Sequence, residues 1–80
     1  MSKKRKDNPG NLRYLVGDRL RTMRKVNKLT LKQVAEGMGT SFVTVQRFET
    51  GEQTIDIDWL EKFAEFYQVP VETLVTWKFS

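Results

Sequence analysis

Eighty residues without a cysteine or a histidine carry fourteen Lys and Arg against ten Asp and Glu, a net charge of +4. That length is one small domain, near the lower limit at which an apolar core alone sustains a fold. The absent residue types exclude disulfides, thiol nucleophiles, zinc sites built on Cys or His, and histidine acid–base chemistry.

An enzyme is therefore not expected, and neither is a cofactor or metal. No apolar run is long enough to span a membrane as a helix. The basic N-terminal stretch has no apolar segment behind it, so no signal peptide is read there. The charge is unevenly placed. Residues 1–50 hold twelve basic and four acidic side chains, a balance of +8, and residues 51–80 carry −4. A basic half is suited to an anionic partner, nucleic acid above all.

Residues 1–11 are polar and contain the block Lys3, Lys4, Arg5, Lys6. Such a block repels itself and buries nothing, which predicts a disordered arm. The arm is either solvated or tracks DNA, with a nuclear localisation signal as a third reading. From Leu12 the apolar residues Leu12, Leu15, Val16, Leu20 and Met23 fall on one helix face, with Arg13, Arg19, Arg21 and Lys25 read as its solvated charges. Asn27-Lys28 ends this first helix. Thr30-Leu31-Lys32-Gln33 fits a capping box opening the second, whose apolar positions are Leu31, Val34, Ala35 and Met38. Gly37 inside it is expected to cost about 1 kcal/mol relative to alanine. Gly39-Thr40-Ser41 stops that helix, and Ser41 caps a third, about Phe42–Glu49. Asp56 or Thr54 caps a fourth running to about Gln68, with Leu60, Phe63, Ala64 and Tyr67 inward. Pro70 suits the first turn of a short fifth helix containing Val71 and Leu74. The chain reads as all-α, with a domain over 12–76 and a tail over 77–80.

Between Leu31 and Gly51 two short helices are joined by three residues beginning with glycine, the helix-turn-helix plan. Ala35 supplies the small side chain where the helices cross. Gly39 tolerates the positive φ that the turn requires. At about 100° per residue, Val45, Phe48 and Glu49 of the third helix point inward. Val43 and Arg47 lie near the opposite pole, flanked by Gln46 and Thr50, with Phe42 at the boundary. Arginine, glutamine and an apolar side chain are suited to guanine, adenine and the thymine methyl in a major groove. Phe42 is read either as a contact to sugar or methyl or as a staple of the helix start. The Thr44 hydroxyl is suited to a phosphate or to its own backbone.

Leu29–Ser41, together with Val45, Phe48, Glu49 and Gly51, resembles the Cro/repressor-type (XRE-like, lambda-repressor-like) helix-turn-helix family. Arg19-Leu20-Arg21 with Arg24 looks like its first helix, and Leu60, Phe63-Ala64, Val69 and Leu74 look like its fourth and fifth. The resemblance covers about Leu12 to Val75 and implies a compact five-helix DNA-binding domain. It implies a structural ion pair between Arg24 and Glu49, and base reading by Phe42, Val43, Gln46 and Arg47. Phosphate contacts are implied at the start of the second helix, Lys32 and Gln33, and after the third, Thr50, Gln53 and Thr54; Thr44 joins them from its own geometry. Two departures stand out: Leu31 where many members place a phosphate-binding glutamine, and Phe42 where a polar reader is common.

Trp59, Phe66 and Trp77 exceed what one core face needs. The family commonly dimerises through its C-terminal region, so these three are expected at a dimer interface. The resulting expectation is a cytoplasmic, nucleoid-associated homodimer that binds a palindromic operator on double-stranded DNA and represses transcription. A protein-interaction module or antitoxin-type regulator, whose main ligand is another protein, is the second reading.

Overall fold

The computed structural model describes residues 12–75, and side chains from Arg13 onward. Five helices and no strand occur among them: α1 Leu12–Val26, α2 Leu31–Met38, α3 Phe42–Thr50, α4 Ile57–Tyr67 and α5 Val71–Val75. The predicted arm, with Lys3 to Lys6, and the tail containing Trp77 lie outside the described residues.

Most of the boundaries have a local chemical cause. Thr30 accepts a hydrogen bond from the Gln33 amide at 3.0 Å, and the Gln33 side chain accepts one from the Thr30 amide at 2.8 Å, which completes the capping box. Gly39 closes α2 in the left-handed region at φ 71°. Ser41 accepts from the Thr44 amide to open α3. At the start of α4 the cap is Asp56, which accepts from the Trp59 amide at 3.0 Å; Thr54 is left to other contacts. Gln68 ends α4 at φ 59°, and α1 ends with Lys28 at φ 57°. Neither is glycine, so each turn is held by flanking backbone bonds, such as Leu29 N–H to the Arg24 carbonyl.

The core draws on every helix: Val16 and Leu20, Val34 and Ala35, Val45 and Phe48, Leu60, Phe63, Ala64 and Tyr67, and Leu74. Its centre is aromatic. Phe63 meets Phe48 edge to face at 5.8 Å and stacks with Tyr67 at 6.5 Å. Trp59 tilts over Phe48 at 5.2 Å, and the Lys62 ammonium sits 4.9 Å from its ring centroid. Trp59 thus belongs to the seam joining α4 to α3. Phe66 lies against Tyr67 at 5.0 Å and beside Gly37. Both rings are half-buried in their own fold, so they are less surplus to the core than their spacing along α4 implies.

That contact also revises the reading of Gly37. A Cβ there would stand 2.5 Å from the Phe66 ring, so the helical cost of glycine is exchanged for space that the ring occupies. Arg19 departs from its expected solvated role as well. It donates to the Thr73 carbonyl at 2.6 Å, tying α1 to α5.

The Tyr67 hydroxyl is buried with no hydrogen-bond partner among the described residues. Burial, reinforced by the nearby Glu49 charge, pushes its pKa up to about 12. A phenol whose pKa is raised on folding contributes stability that is fully present below the unfolded value, near 10, and is lost as pH rises through the folded one. Tyr67→Phe removes an O–H that was stripped of water without compensation. Thermal unfolding at neutral pH is expected to show unchanged stability or a gain of up to about 1 kcal/mol. The variant should also lose less stability than the parent between pH 10 and about 12.

Candidate nucleic-acid interface

The α3 helix is held from behind at three points along α1. Tyr14 covers Gly51, where a Cβ would stand 2.5 Å from the ring. Gly17 lies against the end of α3, so close that a Cβ would meet the Glu49 carbonyl oxygen at 2.5 Å and that of Phe48 at 2.7 Å. Two turns further on, Arg24 reaches Glu49. These positions share one stripe of α1 because 17 and 24 differ by seven residues, close to two full turns.

The Arg24–Glu49 pair is bidentate. Nε donates to Oε2 at 2.8 Å and Nη2 to Oε1 at 3.1 Å, with the side chains only 14% and 5% exposed. Nη1 donates to the Leu29 carbonyl at 3.1 Å. One guanidinium therefore ties α3 to the turn that enters α2. The planar fork of arginine suits this task, and lysine could not make all three bonds in this geometry. The hydrogen bonds to Glu49 raise the Arg24 pKa against the opposing effect of burial. Ala35, buried between α2 and α3, lets the two helices cross closely.

With its inner face committed, α3 turns a different set of residues outward. Phe42 is 50% exposed and Val43 38% exposed. Gln46, Arg47 and Thr50 are exposed too. Neither Gln46 nor Arg47 has a side-chain hydrogen bond or ion pair among the described residues. The four residues expected to read bases therefore share one accessible helix face.

The residues expected at phosphates have more varied surroundings. Lys32 and Gln33 are exposed at the start of α2. Gln33 uses its side-chain oxygen in the capping box, which leaves its amide N–H groups outward. The Thr44 hydroxyl shares a 3.0 Å hydrogen bond with Ser41. Thr50 donates to the Arg47 carbonyl at 3.2 Å and accepts from the Glu52 amide at 3.3 Å, so its hydroxyl closes the end of α3. Thr54 accepts from Arg13 at 3.4 Å. Gln53 is exposed, and its backbone N–H also bonds the Arg47 carbonyl. Leu31 is half-buried against the core.

Sequence reasoning did not single out Gly17 or Tyr14. A glycine between Val16 and Leu20, inside the apolar stripe of a fifteen-residue helix, was the available signal. Such a glycine costs about 1 kcal/mol unless something must come close to the backbone.

The comparisons with known proteins agree with this architecture. Residues 15–77 match a family model described as a helix-turn-helix domain. The cryptic phage CTXphi transcriptional repressor RstR of Vibrio cholerae is 32% identical over 62 residues, which are 78% of this chain. The chain spans about half of that repressor, 56% of its length. Among solved structures, the DNA-binding domain of BldD superposes with a TM-score of 0.74 at 30% identity, over 80% of this chain and 93% of that one. The S. venezulae BldD DNA-binding domain gives 0.73 at 30% identity, over 80% and 96%. By the extent of the family match and the α2–α3 geometry, this chain belongs to the helix-turn-helix domain family.

Proposed function

We propose that the protein is a sequence-specific, double-stranded DNA-binding regulator that lays α3 in the major groove and represses transcription. The observation that carries this reading is the division of α3. Its inner face is locked to α1 by Gly17 and the Arg24–Glu49 pair, and its outer face offers Phe42, Val43, Gln46 and Arg47 together. A rigidly mounted helix with exposed arginine, glutamine and apolar side chains is what direct readout of base edges requires. Lys32 and Gln33 flank it as phosphate contacts, with Gln53 beyond its far end. The two BldD DNA-binding domains and the phage repressor support DNA as ligand and repression as outcome.

In this reading the protein acts as a homodimer on a palindromic operator, with two α3 helices about 34 Å apart in successive major grooves. Trp59, Phe66 and Trp77 are the residues we assign to the interface between the two copies, the first two being half-buried in the protomer. Repression follows from occlusion of a promoter.

Selection of bound duplexes from random DNA, followed by a mobility-shift titration, tests the reading. A recovered consensus with two-fold symmetry supports it; binding indifferent to sequence at moderate salt removes the specific-regulator claim. Arg47→Ala is expected to weaken the selected site by about 1–3 kcal/mol and to relax preference at one base position. Uniform weakening across all duplexes would make Arg47 a phosphate contact. Light scattering with and without the duplex measures the dimer, and one protomer per operator would rule it out.

A further inference from the structure

Beside the Arg24–Glu49 pair, α1 and α3 leave a cleft of about 130 Å³ lined by Arg21, Arg24, Leu31, Gln46, Glu49 and Thr50. Its electrostatics follow from the bonds already described. Glu49 is neutralised by two hydrogen bonds from Arg24, so that pair brings little net charge. The Leu31 side chain is apolar and donates nothing. The Thr50 hydroxyl is engaged with backbone at both ends. What remains is Arg21, exposed and without a side-chain hydrogen bond or ion pair among the described residues, and the free side-chain amide of Gln46. The cleft therefore carries one uncompensated positive charge beside one neutral donor, and it borders α3 along the flank that carries Gln46 and Thr50.

Helix geometry explains why Arg21 is there. Counting about 100° per residue from Gly17, the point of closest approach to α3, Arg24 falls about 20° to one side and Arg21 about 40° to the other. Arg24 is thus directed into the contact and Arg21 to its rim. The reading of Arg21 as an ordinary solvated charge of α1 misses this placement, which depends on how closely α3 lies on Gly17.

We propose that this cleft is an anion site for a phosphodiester of the DNA backbone, with Arg21 as the charged ligand and Gln46 as its neighbour at the boundary between phosphate and base. This assignment rests on the DNA-binding reading above and extends the binding surface from α2 and α3 onto α1. An arginine fork suits a phosphate because two N–H groups can meet two of its oxygens. The contact positions the duplex against α3 and carries no sequence information itself.

The test uses the full chain, a duplex selected from random sequence and a scrambled duplex of equal length. Arg21→Gln is expected to weaken both by a similar factor, about 3–30-fold at moderate salt. It should also reduce the log–log salt slope by about 0.9, one phosphate's worth of released counterions. Thermal stability should be unchanged, because Arg21 has no intramolecular partner among the described residues to lose. Arg21→Lys should recover most of the slope and only part of the affinity. An unchanged slope and affinity in Arg21→Gln, with wild type binding its selected duplex normally, would overturn the anion site alone. Altered preference at a single base pair would overturn it too, by making Arg21 a base reader. Wild type that retains neither duplex would remove the DNA-binding reading together with the site.

Discussion

Replacing Glu49 by alanine is expected to destabilise the fold by about 3 kcal/mol, measured by thermal or denaturant unfolding. The change leaves the Arg24 guanidinium largely buried without its carboxylate, and removing one partner of such a pair costs about 3–5 kcal/mol. The lower end applies because Arg24 keeps its bond to the Leu29 carbonyl and some access to water. Against roughly 4–12 kcal/mol of total stability for a domain of this size, that is a large fraction. Glu49→Gln should cost less, since an amide oxygen still accepts one hydrogen bond. The double variant Arg24→Met, Glu49→Leu provides the sharper measurement. With both charges gone, no unpaired ion is buried, so its loss should be well below the sum of the two single changes. Additive losses would mean that the pair is not coupled as its geometry implies. DNA affinity should fall in Glu49→Ala even where the protein is folded, because α3 loses its tie to the turn before α2.

Gly17→Ala is expected to cost about 2–3 kcal/mol, although glycine to alanine inside a helix ordinarily stabilises by about 1 kcal/mol. The reversal of sign comes from the contact. The new Cβ would stand 2.5 Å from the Glu49 carbonyl oxygen and 2.9 Å from its carbonyl carbon, and these backbone atoms cannot rotate away. Relief requires α1 and α3 to separate, which also stretches the Arg24–Glu49 bonds two turns along. The parallel change at Gly37 meets the Phe66 ring, a side chain able to swing, and should cost far less. Unfolding of both variants separates the two cases. Equal stabilities would show that backbone proximity at Gly17 is not limiting.

Glu49 and Gly17 bear on function through the same feature, the seating of α3 on α1. Base readout needs α3 held rigidly, since small displacements of a positioned helix are costly to contacts made at hydrogen-bond distance. The tight seat on Gly17 and the three-bonded Arg24 supply that rigidity, and in doing so leave Arg21 at the rim of the cleft. Under the proposed function, stability at the back of α3 and DNA contact at its front are therefore linked.

The helices, their order and most of their ends were legible in the residues because their causes are local. Apolar spacing of three and four residues placed Val16 and Leu20, Val34 and Ala35, and Leu60, Phe63, Ala64 and Tyr67 in the core. Thr30 with Gln33, Ser41 with Thr44, and Gly39 act over at most three residues. The outward face of α3 was legible for the same reason, once its inner residues were assigned by angle. The sequence by itself thus determined an all-α domain, a helix-turn-helix between Leu31 and Gly51, and which four side chains α3 could present.

The tertiary structure alone decided how the helices meet, and with that the role of every residue whose partner is distant in the chain. Arg24 and Glu49 are 25 residues apart, and Arg19 and the Thr73 carbonyl are 54 apart. Periodicity has no term for such a separation; the first pair was anticipated through family resemblance, and the second was read as solvated charge. Angle along α4 places Trp59 outside the main core face, and only the tertiary structure brings Phe48 to within 5.2 Å of its ring. Spacing along α1 makes Arg21 one of several solvated charges, and the close approach of Gly17 to the α3 carbonyls sets it apart from them. Local rules report the face on which a residue lies, whereas a charge at the rim of a contact acquires its partner from the distance between helices.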